Sequence, residues 1–165
     1  MLNNTPNSAM TFSLKLLSLR NHSQDELERK LLKKGYTSES IKPVLEKLTK
    51  EGVLNDKVFS MELIRSRSRR KPSGKLLLCA ELRKRGVADN IIQELLNEYA
   101  SAELCLKAAE KKISSLRDAT ESVRKKRLET FLRNRGFRWQ EIQTVLKSLF
   151  GSYSEDEEPS QESSP

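Results

Sequence analysis

Along the chain, Ile41, Val44, Leu45 and Leu48 recur at the spacing i, i+3, i+4, i+7, and the same quartet returns as Ile92, Leu95, Leu96, Tyr99 and as Ile142, Val145, Leu146, Leu149. That spacing lines four apolar side chains along one stripe of an α-helix. A second apolar element precedes each quartet, carrying Leu27 and Leu31, Leu78 and Leu82, or Leu128 and Leu132. Between the two elements stand Gly35, Gly86 and Gly136, separated by 51 and 50 residues and followed at once by Tyr36, Val87 and Phe137. Three copies of one pattern in one register define a repeat. The glycine reads as the stop of the first helix, where the backbone turns left-handed without a Cβ clash, and the residue after it folds back onto the core.

A further helix is expected ahead of each pair. Phe12, Leu16 and Leu19 begin the first; Val58, Leu63 and Ile64 lie on the second, capped by Asn55 or Asp56; Leu104, Ala108 and Leu116 mark the third. Ser23 with Glu26 three residues on reads as a capping box, and Ser38 and Asp89 as helix caps. The chain therefore parses into a flexible N-terminus (1–7), three-helix units over 8–52, 53–100 and 101–151, and a disordered acidic tail (152–165) that lacks aliphatic residues. The fold class is all-α: three tandem repeats in an elongated, curved, solenoid-like body, each burying its stripes against its neighbours. Strands have no place in it.

At 165 residues the chain is too short for two full-sized domains. Charge changes the picture more than size does. The formal net charge is +8, but five of the acids (Glu155, Asp156, Glu157, Glu158, Glu162) lie in the last fourteen residues, leaving 31 cations against 18 acids, +13, on residues 1–151. Such a body attracts polyanions. From Arg65 to Lys75 there are six cations and no acid (Arg65, Arg67, Arg69, Arg70, Lys71, Lys75), followed by Arg83, Lys84 and Arg85. Clustered arginine suits bidentate pairing with phosphate or carboxylate. The third unit adds Arg124, Lys125, Lys126 and Arg127, with Arg133, Arg135 and Arg138 around its glycine; scattered lysines read as solvated helix face.

Catalytic chemistry finds little material. The single histidine, His22, reads as a surface turn residue, and all six glycines are used at helix ends or turns, so none remains for a phosphate-cradling loop. No metal or other cofactor is expected. Cys79 and Cys105 form no CxxC pair and read as reduced thiols on apolar faces. Tyr36 and Phe137 read as core; Trp139, facing Ser38 and Asp89 in the other units, reads as partly exposed. The absence of a long apolar run and of a basic, apolar leader points to a cytoplasmic chain with no membrane partner.

The string Gly52-Val53-Leu54-Asn55-Asp56, then Phe59, Ile64-Arg65-Ser66-Arg67, Gly74 and Glu81-Leu82-Arg83-Lys84-Arg85-Gly86 resembles the central signature of the RecX family, bacterial modulators of the RecA recombinase. Leu17-Ser18-Leu19-Arg20 with Ser23, Glu26-Leu27, Leu31 and Lys34-Gly35-Tyr36 is similar to the family's first repeat, and Phe131-Leu132 with Arg135-Gly136-Phe137 to its third. Leu63 departs from it, standing where an aromatic residue is common, as do the dense Arg65–Lys71 run and the acidic tail. The resemblance implies a crescent of three three-helix repeats lying in the groove of the RecA filament on DNA, suppressing recombination and coprotease activity without catalysis. The expected partners are the RecA filament and single- or double-stranded DNA without sequence preference, bound by a monomer. Arg65, Arg67, Arg69, Arg70, Lys71, Lys75, Arg83, Lys84, Arg85, Arg133, Arg135 and Arg138 are the candidate contacts. Two other classes fit the residues alone: a helix-turn-helix DNA-binding protein, and an adaptor whose cations grip acidic protein surfaces.

Overall fold

The structure, a computed structural model, describes residues 4–151, and within them the chain is entirely helical and without strands. Nine α-helices form three groups of three: α1 (Pro6–Leu19), α2 (Gln24–Lys34), α3 (Ser38–Lys50); α4 (Asp56–Arg70), α5 (Lys75–Lys84), α6 (Asp89–Asn97); α7 (Ser101–Ile113), α8 (Glu121–Asn134), α9 (Trp139–Phe150). A 3-10 turn, Ser114–Leu116, joins α7 to α8. The tail expected over 152–165 lies outside the described residues.

Each unit has its own core. Leu27, Leu31, Ile41 and Leu48 fill the first, Leu78, Leu82 and Ile92 the second, Leu128, Leu132, Phe137 and Ile142 the third. The repeated stripes are thus satisfied inside each unit, by the third helix, and not against the neighbouring unit as the sequence suggested. Tyr36 and Phe137 are buried, and Trp139 is 53% exposed, as their positions in the repeat indicated.

Gly35, Gly86 and Gly136 have φ of +100°, +74° and +76° and end α2, α5 and α8 in the left-handed region. Some side chains fall elsewhere than expected. Leu19 and Val58 are exposed, because each lies roughly 80 to 120° around its helix from the buried residues Ala9 and Ser13 or Phe59. Ser38 and Asp89 sit one residue inside their helices; Thr37 and Ala88 precede them as caps without a side-chain bond. Asn55 does cap α4, accepting from the Lys57 and Val58 amides. The chain start at residues 4–7 is bonded down: Asn4 Oδ1 accepts from the Thr37 amide at 3.1 Å, and Thr5 caps α1.

The units meet at two junctions of the same geometry. The C-terminal turn of α5 abuts the first turn of α2, and the C-terminal turn of α8 abuts the first turn of α5. In each, the negative end of one helix dipole faces the positive end of another. At the first junction Ser23 Oγ donates to the Arg85 carbonyl (2.6 Å). At the second, Gly74 N–H donates to the Arg135 carbonyl (2.8 Å) and Leu76 N–H to the Gly136 carbonyl (3.1 Å). Gly74 has an ordinary φ of −79°, and glycine is required there by space: a Cβ would stand 2.1 Å from the Gly136 oxygen.

Candidate polyanion interface

The basic run occupies the second half of α4, where cations complement the C-terminal end of the dipole, until Pro72 forbids another turn. Its arginines part company by helix face. Arg65, Arg69 and Arg70 are exposed and line a groove of about 520 Å³ with Ser66 and Glu62, the latter bonded to Asn21. Arg67 turns the other way and grips Glu81 of α5 with two bonds, Nε at 2.9 Å and Nη2 at 2.7 Å. Those bonds hold the Glu81 carboxyl below its ordinary range against the upward push of burial, and raise Arg67 in turn.

Arg85 is spent in the same way. It donates to Glu26 across the first junction and to Glu81 (3.1 Å) within its own unit. Glu26 does not fold back to complete a capping box on Ser23; it also accepts from Arg20 (3.1 Å) and stands 3.2 Å from Nδ1 of His22. His22 is therefore no surface residue: it is 3% exposed, sealed in the turn between α1 and α2, and its position became readable only once that turn was packed against its carboxylate partner. Burial first, then nearby Arg20, lowers the His22 pKa; for Glu26, burial pushes upward but the guanidinium groups of Arg20 and Arg85 prevail and the carboxyl is lowered. An open cleft of about 740 Å³ lies over this network, with Arg29 from the first unit, Lys71 and Lys84 from the second and Arg135 from the third on its walls.

At the second junction a smaller groove of about 260 Å³ runs between the end of α4 and the helices α7 and α8. Arg70, Lys71, Lys111, Lys112 and Arg135 line it, over an apolar floor of Pro72, Ala108 and Phe131, with no carboxylate among the lining residues. The Phe131 ring lies between Lys112 (Nζ 5.6 Å from its centroid) and Arg135 (Cζ 4.9 Å). Arg70 belongs to both this groove and the α4 edge, and Lys71 and Arg135 to both this groove and the large cleft, so the three form one continuous belt. Eight of its cations, Arg65, Arg69, Arg70, Lys71, Lys84, Lys111, Lys112 and Arg135, have no ion-pair partner among the described residues. Lys111 and Lys112 were not in the sequence-derived set, since their neighbour Glu110 makes α7 read as an ordinary solvated face.

The other candidates stand apart. Arg83 pairs with Asp89 (2.7 Å), Arg133 with Glu129 (2.6 Å) while lying over Trp139, and Lys75 reaches the Asn97 carbonyl (3.4 Å). Arg138 is the exposed residue before α9, its amide donating to Glu141. Cys79 and Cys105 are free; burial pushes the Cys105 thiol up to about 12, so it is inert. Among the described residues no cluster of His, Cys, Asp and Glu forms a metal site, and no helix is long and apolar enough to cross a membrane.

Fold and charge define an all-α protein of three tandem three-helix units whose ionic side chains gather at the joints between them. Comparison with known proteins narrows this class. The first, second and third three-helix domains of RecX match residues 9–48, 55–96 and 98–146 in that order. The chain is 62% identical over 157 residues to a regulatory protein RecX of Pelodictyon phaeoclathratiforme, covering 95% of this chain and 98% of that one. It is 44% identical over 147 residues to the protein of the same name from Chlorobaculum tepidum, covering 89% and 91%. The crystal structure of RecX from Lactobacillus salivarius superposes with a TM-score of 0.78 at 22% identity over 87% of this chain and 96% of that one, a likeness of fold. The chain belongs to the RecX family of regulatory proteins.

Proposed function

We propose that this chain is a non-catalytic, monomeric, cytoplasmic regulator that binds the RecA–DNA filament and inhibits its recombinase and coprotease activities without a cofactor. The observation that carries this reading is the belt of eight cations left without carboxylate partners among the described residues. Like charges held together repel one another, and an exposed cluster of them is stabilised by an anionic polymer or an acidic protein face laid across it. The three-unit array offers that belt along successive units, the shape of a contact with another polymer and not with a small substrate.

Adding the purified protein to its own host's RecA on single-stranded DNA should suppress ATP hydrolysis at substoichiometric to stoichiometric ratios. Charge reversal of Arg65, Arg69, Arg70 and Lys71 should relieve that inhibition with the fold intact by circular dichroism. Arg67 is left in place because Glu81 would lose the two bonds that Arg67 donates and keep only Arg85. Undiminished inhibition by the reversed protein would remove the belt from the contact and leave Arg133 and Arg138 as the alternative face.

A further inference from the structure

The groove at the second junction collects five cations and no acid, while the fourteen residues beyond Gly151 collect five acids and no cation. The two are joined by a short path. The last residues of α9 lie against α8: the Phe150 ring is under Arg124, at 5.6 Å from Cζ, and under Lys125, at 5.5 Å from Nζ. Arg124, Phe131 and Arg135 are seven and four residues apart on α8, and so share one stripe of that helix. The groove therefore begins roughly 10 to 16 Å along α8 from the point where the chain leaves it. Glu155 to Glu158 stand four to seven residues past Gly151, a reach of up to roughly 13 to 25 Å.

We infer that the groove between the second and third units is the docking site of the chain's own acidic C-terminal segment, which occupies it in competition with the polyanionic partner. Tethering places the carboxylates near Lys111, Lys112 and Arg135 at an effective concentration in the millimolar range, enough for weak exposed ion pairs to keep the groove partly filled. A filament or a strand offering many anions displaces it. The consequence for regulation rests on the function proposed above; the docking itself does not.

Zero-length carbodiimide coupling of the full-length protein, followed by mass spectrometry, reads the contact directly, because it joins carboxylates only to amines they touch. The expected products link Glu155–Glu158 to Lys71, Lys111 or Lys112 within one chain, and Lys111→Gln with Lys112→Gln should abolish most of them. Links confined to distant lysines such as Lys30, links between two copies, or no tail links at all would overturn the docking. The competition is read by titrating a fluorescent oligodeoxythymidylate with the wild type and with a full-length variant carrying Glu155→Gln, Asp156→Asn, Glu157→Gln, Glu158→Gln and Glu162→Gln. That variant should bind about three- to tenfold more tightly at low salt, and the gain should shrink as screening shortens. Equal affinity of the two proteins at low salt would overturn the competition. Failure of the RecA reading would show otherwise, as unaltered ATPase with the coupling pattern intact.

Discussion

The two junctions are built from one geometry with different chemistry, and the difference decides which arginine is structural. The residue twelve before the repeat glycine is Ser23 at the first junction and Gly74 at the second. Serine holds the facing backbone off and bonds it through a hydroxyl; glycine lets the two backbones bond directly. Three residues further on, the first junction has Glu26 and the second has Leu77. The arginine before the glycine follows suit. Arg85 finds Glu26 and becomes part of a half-buried ionic network, whereas Arg135, with Leu77 at the corresponding position, has no carboxylate partner and lies over Phe131 in the groove. A direct backbone joint thus frees its arginine for work elsewhere.

The largest expected effect breaks the second junction. Gly136→Ala forces a side chain into positive φ and sets its Cβ 2.4 Å from the Leu77 Cβ and backbone nitrogen, neither of which can swing aside. A loss of about 2 to 5 kcal/mol combines the left-handed penalty with overpacking, measurable as a denaturant midpoint shift. Gly86→Ala should also cost about 2 to 5 kcal/mol, because the atom it meets at 2.3 Å is the Asp25 Cβ, as fixed on its backbone as the Leu77 Cβ. A loss under about 1 kcal/mol at either glycine would mean that the facing helix does not press on it as closely as the structure has it.

The next effect loosens the first junction. Glu26→Gln removes the charge that Arg20, Arg85 and His22 share, at a cost of about 1 to 3 kcal/mol for groups left poorly paired. Acid should do the same to the wild type. Both His22 and Glu26 titrate below their ordinary values of 6.5 and 4.5, so the unfolded chain binds more protons. Stability is then complete above about pH 7 and falls as the pH drops, first through the histidine range and then through the carboxylate range. Denaturant midpoints at pH 7.5, 5.5 and 4 check this, and His22→Gln should flatten the step between the first two. A midpoint that rises on acidification to pH 5.5 would contradict the sign.

Much of this was legible in the chain and some was not, for reasons that lie in distance along it. Quartets such as Ile92, Leu95, Leu96 and Tyr99 declare a helix face because the period is local, and Gly35, Gly86 and Gly136 declare its end because positive φ is a property of one residue. The cationic surface was visible as composition, Arg65 to Lys75, but the sorting of Arg67 and Arg85 into ion pairs depends on Glu81 and Glu26, fourteen and fifty-nine residues away. His22 has its partner Glu26 only four residues away, and what hides it is the packing of the turn around it, which no local pattern states. Lys111 and Lys112 gain meaning only from facing Arg70 and Lys71 across a joint that no local pattern announces.

The smallest effect on stability is the most informative about function. If Arg135 is free only because Leu77 stands where the first junction has Glu26, then Leu77→Glu should capture it. Leu77 is partly exposed on the wall of the large cleft shared with Arg135, so a carboxylate there is solvated and within reach of the guanidinium. A new exposed pair is worth under about 1 kcal/mol, and the melting temperature should scarcely move. Binding should move more, because the substitution both withdraws Arg135 from the belt and adds a negative charge beside Lys71 and Lys84. Inhibition of RecA ATPase and the salt slope of oligonucleotide binding should both decrease, the slope by about one counterion or slightly more. The reciprocal change, Glu26→Leu, should release Arg85 while costing stability at the first junction. Unchanged ATPase inhibition by Leu77→Glu, with the fold intact, would show that Arg135 makes no contact with the partner and that its freedom is incidental to the glycine joint.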